Sequence, residues 1–296
     1  MKLTFRWYGE DDPVTLEKIS QIPSMTGIVS AVYDVKPGGV WSEESIDRIK
    51  NQANGHGLDF EVVESVPVPE DIKLGNGKAE QLTGNYCENI RRLGKAGIKC
   101  ICYNFMPVFD WLRSELEHPQ PDGANALAYD EQTVLNMDPL KGELSLPGWD
   151  SSYTREEMRG LLKAYEEIGE GRLWKNLESL GYFIRAIMPA CEEAGVNMAI
   201  HPDDPPWGMF GLPRIITCKE NIQRMLDIVP SANNGLTLCT GSLGANPDND
   251  LADMAKSFAG RIHFVHLRNI KHTGYRKFEE VGHPTDCGSL DMYGIA

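Results

Sequence analysis

The feature that most constrains this chain is an alternation. Short apolar runs suited to strands recur along its 296 residues, and helical patterns separate them. The strand-like runs are LTFRWYG (3–9), GIVSAVYDV (27–35), DFEVVESVPV (59–68), KCICYNFMPV (99–108), VNMAIHP (196–202), GLTLCTG (235–241) and RIHFVHLRN (261–269). Between them lie TLEKISQI, SEESIDRIKNQANGHG with Ser42 as its cap, NYCENIRRLGKAGIK, LESLGYFIRAIMPACEEAGVN, CKENIQRMLDIV and NDLADMAKSFAG. Strand–helix repetition of this kind predicts parallel strands joined by helical crossovers. One stretch breaks the rhythm. Residues 109–172 are rich in turns, acids and aromatics, with one helical pattern near TREEMRGLLKAYEEIGE, and are read as an insertion that is either a lid or oligomer contact or a decorative excursion.

The strands share a second property. Their bodies are apolar and their C-terminal ends polar: Arg6, Trp7 and Tyr8; Asp34; Glu64 and Ser65; Asn104; His201 and Asp203; Cys239 and Thr240; His266 and Arg268. A (β/α)₈ barrel produces this pattern, because its site is built on one face from the loops that follow the strands. The expected architecture is therefore an α/β TIM barrel formed by residues 1–296 as one domain, with the insertion after strand 4. A doubly wound sheet would concentrate its site at one switch point, often with a glycine-rich phosphate loop. The chain has no GxGxxG and no GxxxxGK[ST] motif.

Composition narrows the partners. The formal net charge is −14 with no basic block, which argues against nucleic acid and anionic membranes. No apolar run approaches the roughly 18 residues that span a bilayer, and Glu10, Asp11 and Asp12 interrupt the N-terminus where a signal peptide would be apolar. A cytoplasmic location is expected. Seven cysteines without a CxxC pair make a disulfide framework a poor reading.

Strand periodicity sorts the chemistry. Side chains alternate faces with period two. Asn197, Ala199 and His201 share a face in the fifth strand, Thr237 and Cys239 in the sixth, and Phe264, His266 and Arg268 in the seventh. His201, Cys239 and His266 thus converge at the rim from three successive strands. HFVH resembles a chelating pair, but His263 and His266 point to opposite faces, and His263 is placed outside. Two imidazoles and a thiolate suit a first-row cation: manganese, iron, cobalt or zinc. Asp203 and Asp204 can be ligands, partners of ligands or turn formers among Pro202, Pro205 and Pro206, with a turn role favoured for at least one. Arg268 suits a substrate carboxylate, which it can grip with two N–H groups; the alternative is a salt bridge to a rim aspartate. Arg6, Tyr8, Asn104 and Asp203 are the further substrate-binding candidates. The glycines of CTGSLG (239–244) are read as allowing a tight turn beside the cysteine.

At these residues the sequence resembles the mannonate dehydratase family. The stretches RWYG, VWSEESI, VVESVPVPEDIK, CYNFMPVFDW, AIHPDDPPWGMFGLPRI, LCTGSLGANPDNDL, HFVHLRNIK and FEEVGHP…GSLDMY carry the resemblance in order along nearly the whole chain. It implies a barrel similar to xylose isomerase, a divalent metal (Mn²⁺ or Fe²⁺ ahead of Mg²⁺), and dehydration of D-mannonate to 2-keto-3-deoxy-D-gluconate in glucuronate catabolism. It also implies a homodimer, and His201, Cys239 and His266 as metal ligands. The family pattern continues into an eighth strand with an Arg-Pro-Asp-His stretch that supplies an aspartate ligand, and a later tyrosine implicated in catalysis. The present chain shows seven strand signals and stops at GSLDMYGIA, where Ser289 or Asp291 reads as a helix cap and not as that ligand. The general base is therefore unassigned. Two alternatives stay open. One is a metal-dependent sugar isomerase or epimerase on the same fold, against which Cys239 counts, because such sites favour carboxylates. The other is a catalytically dead, truncated paralogue that still binds metal or sugar acid.

Overall fold

The computed structural model describes residues 1–141, 153–167 and 172–296. Among the described residues, eleven strands form two sheets. The first contains β1 (Leu3–Arg6), β2 (Met25–Ser30), β3 (Asp59–Glu64), β4 (Cys100–Tyr103), β7 (Asn197–Ile200), β8 (Asn234–Cys239) and β9 (Ile262–His266), hydrogen-bonded in that order and all parallel. The second is antiparallel, in the order β10 (Asn269–Gly274), β11 (Lys277–Val281), β6 (Asn125–Asp130), β5 (Glu115–Pro119).

The parallel sheet curls. Neighbouring strands lie about 4.8 Å apart, so a flat sheet would hold β4 and β9 roughly 14 Å from each other. Their Cα atoms instead approach within 8 Å. Among the described residues no strand joins β1 to β9, and a cavity of about 1140 Å³ opens there, lined by Leu3, Phe5, Val62, Leu238, Phe264 and Val265 among others. Close pairing inside the curl needs a bare backbone at Gly27, where a Cβ would stand 2.6 Å from the Asp59 carbonyl oxygen.

Helices α1 (Leu16–Ser20), α2 (Glu43–Gly55), α3 (Glu70–Leu74), α4 (Ala79–Lys95), α5 (Glu131–Leu135), α6 (Arg155–Glu167), α7 (Arg172–Ala194), α8 (Lys219–Ile228), α9 (Thr240–Gly244), α10 (Leu251–Ser257) and α11 (Met292–Ile295) complete the chain. Ser42 caps α2 as expected, its hydroxyl accepting from the Ser45 N–H. Ile46, Ile49 and Ala53 then form its buried stripe. Ile101, Met198, Ile200 and Leu236 on the outer strand faces are buried in one cluster with Ile90 and Leu93 of α4, Ile184 and Ile187 of α7, and Ile222 and Met225 of α8. Each such aliphatic side chain contributes about 1.5–3 kcal/mol.

Two expectations need correction. Strands read to 35, 68 and 108 stop at Ser30, Glu64 and Tyr103, where their ladders end. Past β4 the chain folds back, the Asn104 Oδ1 accepting from the Met106 N–H. The second sheet was not foreseen. Half of it comes from the insertion, which is therefore partly ordered strand, and half from the segment after β9. The strand read as 261–269 ends at His266, and Asn269 opens a hairpin. Asp291 does cap α11, but after this hairpin and not directly after β9. Parts of the insertion (142–152 and 168–171) lie outside the described residues.

Candidate metal centre

His201, Cys239 and His266 stand at the C-terminal ends of β7, β8 and β9, in adjacent strands. His201 follows β7 directly, its N–H still donating to the Tyr103 carbonyl at 2.6 Å. Cys239 and His266 are the last residues of their strands and register partners. One ligand atom from each of the three lies within 4.8 Å of the others. Among the described residues this is the single His/Cys/Asp/Glu cluster able to share one ion.

The ring nitrogens are already sorted. His201 Nδ1 sits 2.7 Å from the Pro202 carbonyl, and His266 Nε2 lies 3.3 Å from Glu64 Oε2. That leaves His201 Nε2 and His266 Nδ1 facing each other at 3.1 Å. Metal-bound histidines are commonly held in this way, with the far nitrogen on a carbonyl or carboxylate. Phe264 meets the His266 ring edge to face, with centroids 4.8 Å apart.

The charges agree with this arrangement. Burial alone would push the Cys239 thiol up, but the Arg268 charge and the two histidines outweigh it and hold it well below its ordinary value. Burial would likewise lower His266, yet Cys239 and Glu64 raise it to about 10. Burial would raise Glu64, while His266 and Arg6 hold it well below the usual carboxylate range. A bound cation would displace the His266 proton, and the site would then offer it a thiolate and two imidazoles beside a carboxylate, a donor set that fits a divalent ion.

A family profile described as D-mannonate dehydratase (UxuA) matches residues 1–296. The chain belongs to the D-mannonate dehydratase family. It is 53% identical over 297 residues to mannonate dehydratase 2 of Halalkalibacterium halodurans, covering all of this chain and 85% of that protein. It is 52% identical to the mannonate dehydratase of Streptococcus uberis, again over the whole chain and 84% of the relative. Among solved structures, the mannonate dehydratase of Streptococcus suis serotype 2 superposes with a TM-score of 0.90 at 47% identity, over 100% of this chain and 80% of that one. A xylose isomerase domain protein of Planctomyces limnophilus gives 0.55 at 8% identity, covering 99% and 84%, which shows the fold alone. The parallel sheet is thus a xylose-isomerase-like, TIM-barrel-like fold.

In this mannonate dehydratase family member the remaining candidates divide. Arg6 closes β1 with Nη1 2.9 Å from Glu64 Oε2, and its guanidinium lies 4.9 Å from the centroid of the exposed Tyr8 ring. Arg6 lines the cavity between β1 and β9, and Tyr8 stands beside it at the surface. Asn104 shapes the loop after β4. Asp203 is only 1% exposed, and its Oδ2 accepts the N–H groups of Ile215 and Ile216 at 2.9 and 2.5 Å. It is a turn former, not presented to a ligand. Asp204 is no ligand of the cluster either; it pairs with Arg113 and Arg268. For Arg268 the salt bridge to a rim aspartate is what forms, so the expected open grip on a substrate carboxylate is not built. His263 turns away as expected, its Nε2 2.9 Å from the Ala232 carbonyl. CTGS opens the short helix α9, and Ser242 donates to the Cys239 sulfur at 3.1 Å.

Sequence reading missed Glu64, Arg113 and Glu280 as site residues. Glu64 was recognisable, since it ends β3 on the face of Val62, at the level of His201 and His266. Arg113 and Glu280 carried no comparable signal, because each belongs to the unforeseen sheet or its approach. Among the described residues no helix is long and apolar enough to cross a membrane.

Proposed function

We propose that the chain dehydrates D-mannonate to 2-keto-3-deoxy-D-gluconate in hexuronate catabolism, as a metal-dependent hydro-lyase with His201, Cys239 and His266 as protein ligands. The observation that carries this reading is the convergence of those three donors at one rim, in a member of this family. A borderline cation such as Mn²⁺ or Fe²⁺ suits imidazole plus thiolate better than Mg²⁺ does.

The reaction removes a proton from C2, beside a carboxylate, and a hydroxyl from C3. That C–H is weakly acidic, so charge accumulating on the carboxylate must be met by fixed positive groups. A bound cation would supply Lewis acidity at the carboxylate and a neighbouring hydroxyl. Glu64 and the Pro202 carbonyl keep the two histidine rings aimed inward. Arg6, anchored on one side by Glu64, offers its guanidinium to the sugar acid at the mouth, with Tyr8 beside it. The isomerase or epimerase reading is less well supported, because the site is built on a thiolate and the epimerase-like neighbours share only the fold, for instance a TM-score of 0.57 at 10% identity.

The test is direct. Protein loaded with Mn²⁺ or Fe²⁺ and given D-mannonate should yield a 2-keto-3-deoxy acid, and Cys239→Ser should retain less metal. No product from the loaded protein sinks the dehydratase reading; unchanged metal content in Cys239→Ser rejects the ligand set. A homodimer belongs to the same reading, and sedimentation of the loaded protein decides it.

A further inference from the structure

A largely buried charge network lies beside the three donors. Arg113, just before β5, has a side chain 1% exposed. It meets Asp204 with both ends of its fork, Nη1 to Oδ1 at 2.7 Å and Nη2 to Oδ2 at 3.0 Å. Arg113 Nη2 also reaches Glu280 Oε1 of β11 at 3.0 Å. Arg268 uses the same two carboxylates, Nη2 to Asp204 Oδ2 at 2.7 Å and Nη1 to Glu280 Oε1 at 2.8 Å. Two arginines and two carboxylates therefore alternate, and their formal charges cancel.

The orientation this imposes on Arg268 is specific. Its Nη2 is turned to the Cys239 sulfur at 3.2 Å and to Ser242 Oγ at 3.0 Å. Its Nε is buried without a hydrogen-bond partner among the described residues, and it lies against Gly241, where a Cβ would stand 2.8 Å away. A substrate carboxylate gripped by an arginine needs two N–H groups along one free edge. The Nη1–Nη2 edge of Arg268 is taken by Glu280 and Asp204; on the Nε–Nη2 edge, Nη2 is held by Cys239 and Ser242 and Nε is buried. No edge is left for the sugar acid.

We propose that Arg113, Asp204 and Glu280 are positioning residues that hold the Arg268 guanidinium on the Cys239 sulfur, so that Arg268 tunes the donor strength of that sulfur and does not bind substrate. This rests on Cys239 being a metal ligand. A charged N–H on a thiolate draws electron density from the sulfur, and such outer contacts adjust what a ligand gives its metal. The antiparallel sheet then has a chemical task, because Arg113 and Glu280 come from it or from its approach.

Cobalt(II) replaces the native cation as a probe, and the sulfur-to-cobalt charge-transfer absorption is recorded for wild type, Cys239→Ser, Arg268→Lys, Arg113→Lys and Glu280→Gln. Wild type should show the band and Cys239→Ser should lose it. The other three should shift it to lower energy, as the sulfur becomes richer in electrons. KM for D-mannonate should change less than about threefold in these variants while kcat falls. Glu280→Gln is the mild variant; Glu280 is partly exposed, so the test survives if Arg113→Lys does not fold. A band that moves in Arg268→Lys alone overturns the positioning role. An unmoved band with KM raised about tenfold or more in Arg268→Lys overturns the tuning role and restores a substrate contact. Cobalt bound without the band in wild type refutes Cys239 as a ligand, and this proposal with it.

Discussion

Replacing Asp203 separates a loop anchor from a binding residue. Its Oδ2 accepts two backbone N–H groups, those of Ile215 and Ile216, and Arg214 Nη1 lies 3.5 Å from Oδ1. All of this is buried. In Asp203→Ala both N–H groups lose their acceptor in a place water does not reach. A buried unsatisfied donor costs about 1–3 kcal/mol, so the pair puts the loss at roughly 2–6 kcal/mol. Asp203→Asn keeps an oxygen for the two N–H groups and loses only the charge, for which about 1–2 kcal/mol is expected. Urea unfolding followed by tryptophan fluorescence measures both, since Trp207 is buried in the same loop. With D-mannonate, Asp203→Asn should keep its KM. An alanine variant within about 0.5 kcal/mol of wild type would refute the anchoring argument. So would an asparagine variant of normal stability whose KM has risen sharply, because Asp203 would then be meeting substrate.

Glu64→Gln should lower metal affinity about 10–100-fold, the usual effect of losing a carboxylate behind a ligating histidine; equilibrium dialysis with Mn²⁺ measures it, and unchanged affinity would remove Glu64 from the site. Gly241→Ala must push a new methyl against Arg268, whose Nε and Cβ would lie 2.8 and 3.0 Å away, and a loss of about 1–3 kcal/mol in unfolding free energy is expected. Asp204 should make stability depend on pH: burial would raise its carboxyl, but Arg113 and Arg268 hold it well below the ordinary range. Its contribution is thus fully present above the unfolded value of about 3.9 and fades as pH falls below it. The stability gap between wild type and Asp204→Asn should be about 3–5 kcal/mol at pH 6 and narrow toward pH 3; a gap that widens in acid contradicts the ion pairs.

The barrel strands and the three donors were legible because both follow from period two. An apolar strand with one face inward and a polar end announces where its last inward side chain will stand. His201, Cys239 and His266 each occupy that position, and the register pairing of Cys239 with His266 places two of them side by side. The same rule reaches Glu64, but a lone glutamate at a strand end has many solvent-facing explanations. It failed for the second sheet for a physical reason. ELEHP and NALAYD alternate correctly, but their apolar face carries little more than Leu116, Leu127 and Tyr129 among charged and turn-forming neighbours. Such strands are specified by partners distant in sequence: β6 pairs with β11, and Tyr129 stacks on Phe278 at 5.5 Å across that seam.

The same distinction explains why the site's charges were harder to read than its ligands. A ligand is chosen by its own chemistry, so a histidine or cysteine at a rim is informative alone. A charged group is defined by whatever faces it. Arg268 by itself fits a substrate carboxylate or a salt bridge equally well, and only the approach of Arg113 and Glu280 from the other sheet decides which of its edges are free. Asp203 and Asp204 make the point at adjacent positions. One turns to backbone N–H groups and fixes a loop; the other turns to two arginines and joins the sheets. No property of the pair in sequence separates those fates, because the partners lie 12 to 91 residues away and come from different elements.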